Sequence, residues 1–151
     1  MSAHAPAPIA TIRLFGDNLT PDDVDSVLGG NRTSAASKGG ILVQKPGRLP
    51  VKARTGTWFL TSKGRELDGP EGHLGWLIDR VGPFQKTLKR KIPGMKVELS
   101  IIVHDEAFHP SDLSPRILHE ATNLGDLEIE APEANQEWVL TRSNVAQFLK
   151  H

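Results

Sequence analysis

"KVELSIIVHDEAFHPSDLSPRILHEATNLGDLEIE", residues 96–130, holds two alternating apolar runs with a polar loop and a helical pattern between them. In 96–103, Val97, Leu99, Ile101 and Val103 alternate with more polar neighbours, which predicts a strand with one inward face. In 113–125, Ser114 is placed to cap a helix, Pro115 takes its first position and Gly125 stands just past its end. Leu113 and Leu118 are spaced to staple the entrance of that helix. "DLEIE" (126–130) then returns to period two and predicts another core strand.

The rest of the chain follows the same grammar. Leu74, Leu77, Ile78, Val81, Phe84, Leu88 and Ile92 recur at spacings of three and four, the mark of a helix with one apolar face. Gly82-Pro83 predicts a kink or two abutting helices within it, and Pro93-Gly94 ends it. Near the start, "IATIRLF" (9–15) predicts a strand and Gly16-Asp17-Asn18 a turn. Thr20, Pro21, Asp22 and Asp23 then open a short helix that Gly29 stops. Residues 29–40 read as a glycine-rich loop and "ILVQ" (41–44) as a short strand. "TGTWFLTS" (55–62) reads as a stronger one, bounded by Gly56 and Gly64. After Pro132, "EWVLT" suits a strand and "SNVAQFLK" a short helix capped by Ser143.

This order predicts an α+β fold: a two-layer sandwich whose mainly antiparallel sheet of four to five strands carries two to three helices on one face. The competing arrangement is a ferredoxin-like core with an appended helix–strand unit. Residues 1–8 read as a disordered Ala/Pro-rich tail, 9–131 as a single domain, and 132–151 as a C-terminal extension packed on it.

Composition removes several classes of function. A chain of 151 residues is long enough for one self-sufficient core. With no cysteine, disulfides, thiolate catalysis and sulfur-ligated metal sites are excluded. The start lacks the basic and apolar regions of a secretory signal, and no apolar run approaches the ~20 residues of a membrane helix. A cytoplasmic protein without a membrane association is expected. The net charge of zero conceals a division: residues 32–96 hold fourteen Lys and Arg against four acids, whereas 97–141 hold ten acids and Arg116 alone. Such asymmetry can mark a basic face for an anionic partner. The simpler expectation is that the two parts lie side by side and neutralise each other.

Several short motifs are spaced along the chain: a first strand ending in Gly16-Asp17, then Thr20-Pro21, Val24 and Leu28-Gly29; "TGTW" leading to Leu60 and Ser62; the amphipathic stretch from Leu74 through Pro83 to Leu88; and "LSPRIL" closing with Leu124-Gly125. Together they resemble the bacterial domain-of-unknown-function family 4279. The resemblance spans roughly residues 9–131. It implies a fold and carries no assigned activity.

Candidate sites are few. His104, Asp105 and His109 cluster in the polar loop 104–112, but their spacing matches neither two ligands on one helical face nor a zinc signature. They are expected to be the polar end of a strand, and neither metal nor cofactor is expected. No nucleophile motif, P-loop or dinucleotide fingerprint occurs. Arg48, Lys52, Arg54, Lys63 and Arg65 surround the strand that holds Trp58, and Arg with Trp makes a good partner anchor if Trp58 is half exposed, although its apolar neighbours favour a place in the core under the long helix. Trp76 and Trp138 read as packing residues. Nucleic acid is a weaker fit, because no aromatic-studded basic strand is present. The sequence points to a non-catalytic module that binds another protein through segment 45–65, with immunity-type neutralisation of a toxin as one form. An enzyme or small-ligand binder using loop 104–112 is the alternative, and the oligomeric state is unspecified.

Overall fold

A computed structural model describes residues 6–30, 32–42 and 51–149. The strands of the main sheet are β1 (Ile9–Gly16), β2 (Ser34–Ala36), β5 (Gly56–Thr61), β6 (Lys96–Ile102), β7 (Asp126–Ala131) and β8 (Gln136–Leu140), in the order β2-β5-β1-β6-β7-β8. β3 (Ile41–Leu42) and β4 (Val51–Lys52) form a separate antiparallel pair. The helices are α1 (Pro21–Leu28), α2 (Gly69–Val81), α3 (Gln85–Lys91) and α4 (Pro115–Leu124). The expected α+β sandwich is present, with six strands where four to five were expected. Its one parallel pairing is between β6 and β7, joined by the crossover through α4.

Period-two burial makes the sheet one-sided. Ala10, Ile12 and Leu14 of β1, Val97, Leu99 and Ile101 of β6, and Leu127, Ile129 and Ala131 of β7 all face the helices and are buried. α2 lies over β1, α1 over β5, and α4 over β6 and β7. Leu74, Leu77, Ile78 and Val81 of α2 and Leu88 of α3 bury into the same core, as their spacing predicts. Local signals set the helix ends: Thr20 and Ser114 accept hydrogen bonds from the Asp23 and Ile117 amides, and Gly29 closes α1 at φ +86°. The Glu71 carboxylate accepts from the Ser114 amide at 2.6 Å, tying the first turn of α2 to the entrance of α4.

Three expectations need correction. Ser34–Ala36, within the stretch read as loop, pairs with β5 as an edge strand: its small residues lack a periodic apolar signal but leave the backbone free to pair. The short helix read in "SNVAQFLK" is a 3-10 turn, Val145–Phe148, with Asn144 in the capping position where Ser143 was expected, whereas the strand read in "EWVLT" is present as Gln136–Leu140 beside β7. Phe84, placed by its spacing on the core face, is 40% exposed. Gly82–Phe84 forms a 3-10 turn between α2 and α3, and its tighter winding carries Phe84 out of register with Val81 and Leu88. The strand expected over 41–44 lies outside the described residues beyond Leu42.

Two glycines are required by space. A Cβ at Gly125 would overlap the Val97 carbonyl, and one at Gly56 the Leu19 carbonyl. Gly125→Ala should therefore push α4 off β6 and cost about 1–3 kcal/mol, or more if the backbone cannot shift. Leu77→Ala, at a position with 0% exposure, should cost ~2–5 kcal/mol in urea unfolding. A loss below about 1 kcal/mol would place Leu77 outside the core.

Candidate functional site

The basic segment does not form one patch. Lys52 and Arg54 are exposed before the start of β5, whereas Lys63 and Arg65 are exposed beyond its end. Six residues of strand separate the two groups by roughly 20 Å. Arg48 lies outside the described residues. Trp58 is 1% exposed, and its indole Nε1 donates to the Asp25 carboxylate at 3.0 Å. Its place between β1 and α1 is set by the inward face of β5, so the half-exposed anchor that its basic neighbours suggested is absent.

A different tryptophan takes that position. Arg65 and Arg80 place their guanidinium carbons 4.1 and 4.6 Å from the centre of the Trp76 ring. Each contact is worth about 0.5–1 kcal/mol at an exposed site, and together they hold two long side chains in place before any partner arrives. Among the described residues, neither guanidinium has a carboxylate partner. Beside this ridge lies a cavity of about 160 Å³ lined by Leu28, Trp58, Leu60, Asp79, Arg80, Val81 and Phe84. Its floor is apolar core and its rim carries one cation and one anion. The helical spacing of Trp76 and Arg80 was legible in the sequence. Nothing there showed that Arg65, across a loop, would stack on the same ring.

The charge division persists in space. The ion pairs among the described residues are Arg13–Glu98, Arg32–Asp25, Lys38–Asp17 and His104–Glu133. None joins 32–96 to 97–141, so the expected neutralisation by contact is not found. The two segments do lie side by side where α2 packs against α4, but among the described residues no ion pair forms between them. β7 and β8 form one side of the sheet, whereas Lys52 and Arg54 precede β5 near its other side. On the uncovered face of β7 and β8, Glu128, Glu130 and Glu137 are all exposed, and Glu130 faces Glu137 directly in register.

Loop 104–112 is structural in its contacts. His104 Nδ1 meets the Glu133 carboxylate at 2.8 Å, and this hydrogen bond holds Glu133 below the usual carboxylate range. Asp105 accepts from the Ala107 amide, closing a turn. His109 caps the following 3-10 turn by accepting from the Ser111 amide, while its own amide donates to Asp112. Its ring packs edge-on against Trp138. No three His, Asp or Glu side chains converge as a metal site among the described residues.

A buried Ser–His pair went unread in the sequence. Ser62 Oγ accepts from the Ala10 amide at 2.9 Å and lies 2.6 Å from His73 Nδ1. A Ser62 hydroxyl that donates to Nδ1 goes with the neutral Nε2–H tautomer. The contact resembles a nucleophile with its base. Yet Ser62 is 0% and His73 1% exposed, so no substrate reaches the hydroxyl. The pair fastens α2 to β1 and β5.

These features define a two-layer α+β domain with a cationic, aromatic ridge on its helical side and an acidic sheet edge. Residues 6–131 match the family described as Domain of unknown function (DUF4279), and the chain belongs to that family. No curated protein and no solved structure matches it. β8 lies beyond the matched residues, although it completes the sheet. No helix among the described residues is long and apolar enough to cross a membrane.

Burial holds the pKa of His73 below its ordinary value of about 6.5. The unfolded chain therefore takes up a proton at this residue before the folded chain does. Its contribution to stability is complete above pH ~6.5 and is lost as pH falls through the lowered folded value. Urea midpoints measured from pH 7 to pH 5 should decline, and His73→Gln should flatten that slope whatever its effect on stability at pH 7. An unchanged slope in the variant would contradict a buried neutral His73.

Proposed function

We propose that this chain is a non-catalytic protein-binding module whose docking surface is the ridge of Arg65, Trp76, Arg80 and Phe84 with its adjoining cavity. One observation carries this reading: two guanidinium groups are stacked on one tryptophan, and neither has an acid partner among the described residues. Arg and Trp dominate the energetics of interfaces when they are centred on a pocket and already ordered. The complementary surface presents carboxylates around an apolar side chain. A phosphate backbone fits less well, because the acidic face of β7 and β8 would repel it. His104, Asp105 and His109 already hold partners within the chain, which weakens an enzymatic or small-ligand role for their loop. Of the basic segment 45–65, the docking surface keeps Arg65. A bacterial cytoplasm is the setting we propose, consistent with a chain free of cysteine. Immunity-type neutralisation of a toxin is one form such binding takes.

The test reverses both charges. Arg65→Glu/Arg80→Glu should lower retention of partner proteins from a lysate at least tenfold, mostly through slower association. It should cost about 1–2 kcal/mol of unfolding free energy, the two contacts on Trp76, and leave the chain folded. Retention by the parent chain should fall as salt rises. Unchanged retention in the variant overturns the ridge as a docking surface.

A further inference from the structure

The described residues include two exposed large apolar side chains, Phe84 at 40% and Val139 at 52%. They lie on oppositely charged parts of the molecule. Phe84 lines the cavity beside Arg80. Val139 stands on the open face of β8, in register with Glu128, two residues along the strand from Glu137 and next to the Glu130–Glu137 pair. Like charges directly opposite on a sheet repel, and these two carboxylates have no cationic partner among the described residues to relieve them. One side of the molecule thus offers a hole edged by Phe84 with Arg80 and Asp79 on its rim and Arg65 nearby, and the other an exposed valine knob flanked by glutamates.

We infer that the partner of the ridge is a second copy of this chain, docked head to tail with Val139 in the Phe84 cavity and Glu128, Glu130 and Glu137 against Arg65 and Arg80. The inference rests on the ridge reading above and names its occupant. Size permits it: a cavity of about 160 Å³ has room for on the order of ten waters, more than an isopropyl group requires. Electrostatics favour it too. The chain carries no net charge and has a pI near 7.0, so copies at neutral pH feel no overall repulsion that would oppose attraction between Arg65 and Arg80 and the glutamates. Asp79, also on the cavity lining, disfavours a carboxylate on its own side and so orients the glutamates towards Arg80. The two surfaces differ, so the contact is heterologous. Each added copy leaves one hole and one knob free until a ring closes.

Sedimentation equilibrium on the purified chain, from about 10 µM to about 1 mM, reads this directly. The mean mass should rise above 16.5 kDa with concentration and return to it at high salt. Val139→Asp removes the knob and Arg80→Glu the hole, both at exposed positions, and each variant alone should stay monomeric and cooperatively folded, its melting temperature lower by about a few degrees at most. Mixed in equal amounts they should associate, because one retains the hole and the other the knob. Their complex should stop at twice 16.5 kDa, since neither can add a third copy. A parent chain that stays monomeric throughout overturns the inference, as does a variant that still self-associates or a mixture that does not. If the ridge nevertheless retains partners from a lysate, the ridge reading stands and only its occupant is wrong. If charge reversal changes neither mass nor retention, both fail.

Discussion

The fold depends on a sheet that is apolar on one face only. Ile12, Leu14, Leu99, Ile101, Leu127 and Ile129 point the same way and are almost wholly buried, so every helix has to settle on that side. The opposite face then carries what the core excludes: Arg13 stacked 4.1 Å over Phe15, its ion pair to Glu98, and the glutamates of β7 and β8. The polarity of the molecule follows from strand order, because the charged positions of each strand are fixed by the alternation of its buried ones.

The helices approach the sheet closely enough that backbone meets backbone. At Gly56 and Gly125 no side chain fits, and the Glu71 bond to the Ser114 amide brings α2 and α4 into one layer. The 3-10 turn at Gly82–Phe84 is the counterpart of this tight layer. It redirects the chain between α2 and α3 and, in doing so, delivers an aromatic side chain to the surface beside Arg80.

Much of the fold was legible because its signals are local. Thr20-Pro21 and Ser114-Pro115 mark helix starts through their own side chains, and the alternation in 96–103 and 126–130 marks strands without reference to the rest of the chain. What escaped is non-local. The pairing of Ser34–Ala36 depends on β5 being beside it, and the parallel register of β6 and β7 depends on the path of α4. The candidate surface failed for the same reason. Arg65 and Lys52 are near each other in sequence but lie beyond opposite ends of a strand, while Arg65 and Trp76 meet across a loop. Charge counts along the chain indicated the polarity. The expectation of mutual neutralisation took neighbouring segments to bring opposite charges together, whereas α2 meets α4 with no ion pair between them among the described residues.

Asn144 touches only the last strand, yet it bears on how the chain behaves in a crowd. Its side-chain amide donates to the Val139 carbonyl at 2.9 Å, and its oxygen accepts from the Thr141 amide at 2.7 Å. The first occupies a backbone carbonyl that the edge strand would otherwise offer to a neighbouring chain, and the second closes the turn that follows it. Glu137 adds a charge to that edge, which disfavours stacking of identical strands. Both features make this border of the sheet a poorer template for a neighbouring strand.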